Sequence, residues 1–507
     1  MTAAETRFGD VLPDERQDVI IVGAGIGGLT AAALLAREGL RVSVLEAIHY
    51  PGGCASSFSK HGASFDVGAT TFSGVDGAQP LAQLFDRIGT FDGLLPADPP
   101  MGIAMDGALL IRHRDRERWI EEAERFFAIP QRSFWERVSQ FSDAAYRMLQ
   151  KLPYLPPQTA GELIRSFPAL NRGVMRALPG LLRSVDSHLR AHKLAEARFR
   201  QFIDAQLLIT SQGHAHEIPF LAGALGLSYP DYPVYSVKGG MITYARFLEE
   251  RIRTFGGRVS YLQPVSRLRQ RGEEWEVETR GGASLRTRRV ITGIPVYNLP
   301  AVTEGAVREH FTGILRRLQR RNVRPWGALT VYAMIEDNLS HALPLNLQVL
   351  LRDPLAHTGS RTLFCSFSHP ADSTRAPAGM RTLTISTHLP LARAPQREHR
   401  EEYRRWKEDA ITEIWDALRR EVADFASVRV VRAQGGTPAT FHRYTGRAEG
   451  TVGGIPLQQS VFPFLYPRSA TPFDGLYSIG DTFFPGQGIP GVTLGARSVS
   501  QRILDGS

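Results

Sequence analysis

Cysteine and long apolar runs are both scarce in this sequence. Its 507 residues include only two cysteines, Cys54 and Cys365, and their separation fits neither a disulfide framework nor a zinc-ligand spacing. We therefore expect a reducing compartment and no metal site.

No run of about 18 apolar residues occurs, so no membrane-spanning helix is expected. The polar, acidic first residues do not resemble a signal peptide. The length favours two or more domains.

The net charge of +9 is unevenly distributed along the chain. Residues 151–200 carry nine Lys/Arg and three Asp/Glu, an excess of six positive charges. The same segment contains the apolar residues Leu163, Ile164, Phe167, Leu170, Val174, Met175, Leu178, Leu181 and Leu182. A basic and apolar segment is either a membrane-surface element or an ordinary helix with one solvated face.

The stretch from Asp18 to Glu46 has the pattern of a dinucleotide site. An apolar strand leads into Gly23, Gly25 and Gly28, in the spacing G-x-G-x-x-G, and a helix and a second strand ending at Glu46 follow. The three glycines permit a tight turn, close approach of a pyrophosphate, and close packing of helix on strand. The N-terminus of the helix offers free N–H groups to phosphates. An acid at position 46 can bind a ribose and favours FAD or NAD over NADP.

A second glycine pair selects between these cofactors. Gly52 and Gly53 follow the acid at once, and "FDVGAT" begins at Phe65. This arrangement resembles the flavin-containing amine oxidase and phytoene desaturase superfamily. The resemblance implies that FAD is the cofactor and that the glycine pair extends its phosphate and ribityl contacts.

The same resemblance gives a role to the glycine-rich C-terminal segment "GDTFFPGQGIPG". In this superfamily such a segment returns to the FAD domain, so Gly480 and Asp481 would lie near the ribityl chain and the pyrophosphate. A helix from about Val492, following Gly491, would direct its N-terminus at the flavin ring. The positive end of a helix dipole favours the anionic reduced flavin.

The resemblance also implies the domain organisation. The backbone of Val265 would lie beside the adenine. We expect an α/β fold with a discontinuous Rossmann-like FAD-binding domain, of the amine oxidase type, at residues 15–110, 230–298 and 455–507. Residues 111–229 and 299–454 would form an α+β substrate-binding domain, with a possible membrane-contact element at 151–200.

Several segments resemble the carotenoid desaturase and carotenoid isomerase branch, and most of all the bacterial carotenoid 3′,4′-desaturases. They are "GGCASSF", "FDVGATTFSG", "TGRAEGTVGGIP" and the C-terminal segment. A desaturase would pass a hydride from a carotenoid to flavin N5. An isomerase of the same branch would use reduced flavin with no net oxidation. An amine oxidase, with Lys238 near the flavin, and a non-enzymatic prenyl-lipid chaperone are further alternatives.

No acid or base emerges from the sequence as catalytic. His214, His216 and His442 are candidates, but a lone histidine is more often structural. Arg443 and Arg447 could line the pocket or pair with acids at the surface. A carotenoid has about 40 carbons and costs on the order of 30 kcal/mol to hold in water. We therefore expect a cytoplasmic enzyme, peripherally associated with the inner face of the cell membrane, and no nucleic-acid partner.

Overall fold

The computed structural model describes residues 16–169, 180–340, 343–395 and 400–506. Of the apolar residues in the basic segment, Leu170, Val174, Met175 and Leu178 lie outside these ranges. The strands are β1 Val19–Val22, β2 Val42–Leu45, β3 Ser57–Lys60, β4 Ala63–Asp66, β5 Phe72–Ser73, β6 Leu94–Pro96, β7 Met101–Met105, β8 Ala108–Arg112, β9 Val234–Val237, β10 Arg258–Ser260, β11 Val265–Arg271, β12 Glu274–Thr279, β13 Ser284–Thr287, β14 Val290–Thr292, β15 Trp326–Glu336, β16 Asn346–Leu350, β17 Thr362–Phe367, β18 Met380–Pro390, β19 Val430–Gly436 and β20 Leu476–Ser478.

The described helices are α1 Ile26–Arg37, α2 Pro80–Ile88, α3 Arg116–Phe127, α4 Arg132–Lys151, α5 Ala160–Ser166, α6 Val185–Ala191, α7 Ala197–Ser211, α8 Phe220–Ser228, α9 Met241–Thr254, α10 Leu299–Val302, α11 Gly305–Arg320, α12 Arg400–Glu421, α13 Pro438–Thr445 and α14 Ile489–Leu504. They include a run of six, α3 to α8, between β8 and β9. None of the helices in the described ranges is long and apolar enough to cross a bilayer.

A five-stranded parallel sheet draws its strands from distant parts of the chain. Its order is β10-β2-β1-β14-β20, and every neighbouring pair is parallel. Both β1 and β2 are buried at all four positions, which explains their unbroken apolar sequences. Helix α1 is buried along nearly its whole length because α9 and α14 pack against it. The Rossmann-like fold class is therefore confirmed.

A seven-stranded mixed sheet forms the second large layer, in the order β19-β15-β18-β17-β16-β7-β8. The pair β16 and β7 is parallel, and the other pairs are antiparallel. Strands β7 and β8 come from residues 101–112 and join strands from residues 326–436. The expected boundary at residue 110 therefore falls inside a β-hairpin. The domain limits remain a prediction.

Candidate cofactor site

The first glycine motif connects β1 to α1. Gly23 has φ +99°, a conformation that L side chains rarely adopt, and Gly25 is the N-cap residue of α1. A Cβ added at Gly28 would lie 2.3 Å from the carbonyl oxygen of Gly23. A Cβ added at Gly25 would meet no described protein atom within 4 Å. Gly28 is therefore required by packing, whereas Gly25 leaves room at the free N–H groups of the helix.

Glu46 closes this turn from the end of β2. Its carboxylate accepts hydrogen bonds from the backbone N–H groups of Ala24, at 2.6 Å, and Ile48, at 3.0 Å. Burial raises the pKa of Glu46, and these backbone hydrogen bonds only partly oppose that effect. The acid thus lies beside the glycine turn, as the sequence predicts. Its contact with a ribose remains a proposal.

The second glycine pair packs directly on the first motif. Gly25 and Gly52 form a parallel β-bridge, and the Gly52 N–H donates to the carbonyl of Ala24 at 2.8 Å. Gly52 and Gly53 have φ values of +105° and +59°. A Cβ at Gly53 would lie 3.6 Å from the Cα of Gly25. The structure therefore brings the two glycine motifs into one surface.

The C-terminal segment reaches the same place. Gly480, with φ +115°, follows β20, and a Cβ added at Gly27 would lie 3.6 Å from both the Gly480 nitrogen and the Cβ of Val492. Helix α14 begins at Ile489, three residues before the predicted start at Val492, because Gly488 is its N-cap and Pro490 fits its first turn. A Cβ at Gly491 would lie 2.8 Å from the Gly486 carbonyl oxygen.

Val265 lies at the start of β11, just after two residues whose backbone contacts the Glu46 segment. The Gln263 N–H donates to the carbonyl of Glu46 at 2.8 Å, and the Leu262 N–H donates to that of Ile48 at 3.2 Å. These bonds hold the chain before Val265 against the end of β2. The position is compatible with the expected place beside the adenine, which remains a prediction.

A buried arginine adjoins Asp481: it is Arg447, which the sequence presented either as a pocket residue or as the partner of a surface acid. The Arg447 Nη2 lies 3.0 Å from Asp481 Oδ2, and the Nε donates to the carbonyl of Thr451 at 2.6 Å. The Arg447 side chain is only 9% exposed. Burial by itself would lower the pKa of Arg447, but the neighbouring acidic groups, Asp481 foremost, together more than offset this and raise it. Cys54, next to Gly53, lies in the same electrostatic cluster.

Two polar atoms of this cluster are buried without a hydrogen bond to any described residue. They are the Tyr297 hydroxyl and the Arg447 Nη2, and the Nη2 has its ion pair with Asp481 as its described polar contact. Buried polar atoms without a partner are rare, and they point to a polar ligand. Together with the glycine surface and the acid at position 46, they fit a bound dinucleotide.

The other sequence candidates lie elsewhere or have structural partners. His442 and Arg443 are exposed on α13, and His442 Nδ1 lies 2.9 Å from the Arg447 carbonyl. His214 pairs with Glu217, whose hydrogen bond raises the pKa of the imidazole, and it stacks on His216.

Lys238 is exposed just before α9. No group of three or more His, Cys, Asp or Glu suited to a metal ion occurs in the part of the chain that the structure describes.

One histidine that sequence reasoning missed is buried. Burial lowers the pKa of His388 to about 4, so this imidazole is neutral at physiological pH. Its ring packs edge-on against Trp326. The sequence offered no signal for it, since His388 falls at a polar position of β18, out of phase with Leu383, Ile385 and Leu389.

Comparisons with known proteins agree with this geometry. The family described as "NAD(P)-binding Rossmann-like domain" matches residues 21–88. A prolycopene isomerase of an Oncidium hybrid cultivar is 24% identical over 99% of this chain and 86% of its own length. A hydroxyneurosporene desaturase of Cereibacter sphaeroides is 25% identical, over 96% and 97% of the two chains.

Among solved structures, cyclohexylamine oxidase of Brevibacterium oxydans has a TM-score of 0.60 at 16% identity, covering 97% of this chain and 100% of that one. This likeness shows the fold. The relatives bear out the resemblance to carotenoid desaturases and isomerases, and this similarity supports the expectation of FAD as the cofactor.

Proposed function

We propose that this relative of the carotenoid isomerases and desaturases is an FAD-dependent oxidoreductase that desaturates a long apolar carotenoid. The observation that carries the proposal is the meeting of residues 23–28, 52–53 and 480–492 in one glycine-lined site. The near full-length similarity to carotenoid enzymes supports the substrate class.

Each part of the site has a role in holding the cofactor. The backbone at Gly23, Gly25 and Gly28 receives the pyrophosphate at the N-terminus of α1, and Glu46 binds the adenosine ribose. Gly52 and Gly53 border the same groups. The backbone of Val265 adjoins the adenine. Gly480 and Asp481 would hold the ribityl end, and the first turn of α14, with Gly491 and Val492, would adjoin the ring.

Arg447 acts as the countercharge of Asp481. A carboxylate near a pyrophosphate would repel it, and the guanidinium 3.0 Å away offsets that repulsion. Because Arg447 also bonds the Thr451 carbonyl, it fixes the loop after α13 against the C-terminal segment. A Cβ at Gly454 would lie 2.2 Å from the Asp481 carbonyl oxygen, which shows how closely that loop packs.

FAD, when bound, supplies the electron-accepting chemistry, and the protein supplies position and an apolar environment. Aromatic rings lie next to the C-terminal loop, where Phe462 stacks on Phe484 with 5.5 Å between centroids. Burial lowers the pKa of His388 to about 4, which makes it a weak base, and Lys238 is exposed, so neither is offered as a catalytic base. The proposal therefore assigns no side chain as a proton acceptor.

The substrate and one surface together suggest peripheral contact with a membrane. Leu163, Ile164 and Phe167, in and just after α5, are 54%, 72% and 71% exposed. The adjoining residues Leu152, Leu155 and Ala169 pack with Leu494 of α14, and Phe484 borders the same cluster. This apolar surface of α5 therefore lies beside the C-terminal loop of the cofactor site. Carotenoids dissolve in lipid, so a bilayer is their expected source.

Isomerisation of a carotenoid is the second candidate, and the prolycopene isomerase relatives favour it. Both reactions require the same cofactor site and the same class of substrate. They differ in whether the product has lost two hydrogens.

Expression in cells that make defined carotenoids, followed by pigment chromatography and mass spectrometry, distinguishes the two reactions. Desaturation predicts a product two hydrogens lighter with absorption at longer wavelength. Isomerisation predicts an unchanged mass with altered retention. Gly25→Val serves as the inactive control, and Gly313→Ala, in the open middle of α11, as the active glycine control. Unaltered pigments with a correctly folded, flavin-loaded protein would contradict both candidates.

A further inference from the structure

A cavity of about 200 Å³ opens between α2, the C-terminal end of α4 and α14. A single water molecule needs a cavity volume of about 10–15 Å³, so this cavity has room for a larger polar group. Its polar lining includes Arg87, Lys151, Arg497, Gln83 and Thr493. Its apolar lining includes Leu34, Leu84, Leu152 and two prolines. Leu152 also belongs to the apolar cluster behind α5.

Positive charge in this cavity is incompletely compensated. Three cations and no carboxylate lie among the described lining residues. Arg497 donates to the carbonyls of Leu149, at 2.6 Å, and Leu152, at 3.1 Å, and also to the Gln83 side chain. Burial, together with the nearby charge of Arg87, lowers the pKa of Arg497 to about 10. An anion in the cavity would remove this electrostatic cost.

The carboxylate that pairs with Arg87 of this cavity also pairs with a second arginine. Glu38 accepts from Arg87 at 3.0 Å and from Arg37 at 2.9 Å, so one negative charge serves two guanidinium groups. The half-buried Arg497 bonds only neutral oxygens among the described residues. The local balance is therefore positive, which is the electrostatic requirement of an anion site.

A buried hydroxyl gives a second, independent indication of a ligand. Thr493 is 2% exposed and lines the cavity, and its Oγ1 has no hydrogen-bond partner among the residues that the structure describes. Buried hydroxyls are rarely left unpaired, because the loss of hydration costs about 1–3 kcal/mol. A ligand oxygen would satisfy this hydroxyl.

The geometry points to a binding site for a phosphate ester, held by Arg87, Lys151, Arg497 and the Thr493 hydroxyl. The apolar wall, continuous with the cluster behind α5, suits the glycerol and first acyl carbons of a phospholipid. This lipid assignment rests on the membrane contact proposed above, whereas the phosphate site itself does not. A soluble phosphate ester has the same recognisable group, so the test separates the two sources.

The test uses the flavin-loaded full chain and isothermal titration with glycerol 3-phosphate. We expect Arg87→Gln combined with Thr493→Val to weaken binding at least tenfold. Thr493→Val alone removes an unpaired hydroxyl, so it should weaken binding without lowering the melting temperature. Arg468→Gln, which removes an exposed cation outside the cavity lining, is the matched control and should bind as the wild type does.

Competition with vesicles identifies the source of the phosphate. Displacement by phosphatidic acid in phosphatidylcholine vesicles, but not by phosphatidylcholine alone, supports a lipid headgroup. Binding of glycerol 3-phosphate without such displacement supports a soluble ester. No measurable heat with wild type, or equal affinity in the double variant, overturns the site. Conversion of detergent-dispersed carotenoid by the same proteins tests the enzymatic proposal separately.

Discussion

The cofactor site and the segment of residues 151–169 are held in place by different forces. In the cofactor site, backbone packs on backbone at Gly28, Gly52 and Gly491, where no side chain fits. In the other segment, one buried ion pair fixes α5 to α14: Glu162 is 5% exposed and Arg502 1%. The remainder of α5 exposes apolar side chains. The cofactor site is therefore sensitive to added atoms, and the segment to lost charge.

The largest effect is expected from adding a methyl group at Gly28. The new Cβ would lie 2.3 Å from the Gly23 carbonyl oxygen, and backbone cannot move aside cheaply. We expect Gly28→Ala to destabilise the protein by about 4–5 kcal/mol or more, measured by chemical denaturation. Gly25→Ala should leave unfolding nearly unchanged but lower FAD affinity. Equal stability of Gly28→Ala and Gly313→Ala would refute the packing argument.

The ion pair between Glu162 and Arg502 gives the next largest effect. Glu162→Gln leaves the Arg502 charge buried and should cost about 3–5 kcal/mol at neutral pH. The hydrogen bond distances, 2.7 and 3.1 Å, describe a two-point contact that glutamine cannot match. The matched control is Glu136→Gln, an exposed acid with a 3.7 Å contact to Arg132. Equal losses of unfolding free energy in Glu162→Gln and Glu136→Gln would contradict the role given to the buried pair.

The same pair predicts a pH dependence. Burial alone would raise the pKa of Glu162, but the hydrogen bond and charge of Arg502 and the backbone N–H of Gln158 together outweigh it, so the folded pKa lies below the ordinary 4.5. The stability from this pair is therefore fully present above about pH 4.5 and is lost as pH falls through the folded pKa. Denaturation curves at several pH values should show a shallower acid decline in Glu162→Gln than in wild type. Parallel declines would contradict this prediction.

An intermediate effect is expected at Arg447. Arg447→Met should destabilise the protein by about 2–3 kcal/mol, less than a fully buried pair, because Asp481 keeps 21% exposure. It should also weaken FAD binding, measured by flavin fluorescence, because Asp481 would then face the pyrophosphate without a countercharge. Arg443→Met, at an exposed position on α13, is the control and should change neither the stability nor the FAD affinity. Unchanged FAD affinity in Arg447→Met would remove its proposed role.

The motifs that the sequence revealed are those whose function depends on local spacing. The turn at Gly23, Gly25 and Gly28, the acid at position 46 and the pair at Gly52 and Gly53 lie within 31 residues of chain. Their meeting with Gly480 came from resemblance, because no local pattern joins residues so far apart. The contacts of Arg447 with Asp481, and of Glu162 with Arg502, depend on tertiary packing. The hairpin at residues 101–112 joined the seven-stranded sheet for the same reason.

The smallest effect on stability is expected at the apolar surface of α5. Leu163→Ser, Ile164→Ser and Phe167→Ser remove exposed side chains, so each should change the free energy of unfolding by less than about 0.5 kcal/mol. Together they should reduce flotation with vesicles that contain anionic lipid. Tyr444→Ser, at a 51% exposed aromatic elsewhere, is the control. Undiminished flotation of the triple variant would exclude this surface as the membrane contact.

The most direct test of the central claim is the stoichiometry and affinity of FAD in the full chain. The two ends of the chain build one site, so the purified or reconstituted protein should bind one FAD per chain and show a flavin absorption spectrum. Gly25→Val and, separately, Gly491→Val should each abolish that spectrum while Gly313→Ala retains it. A wild-type protein that folds but binds no flavin, or a Gly491→Val variant with undiminished FAD, would contradict the account.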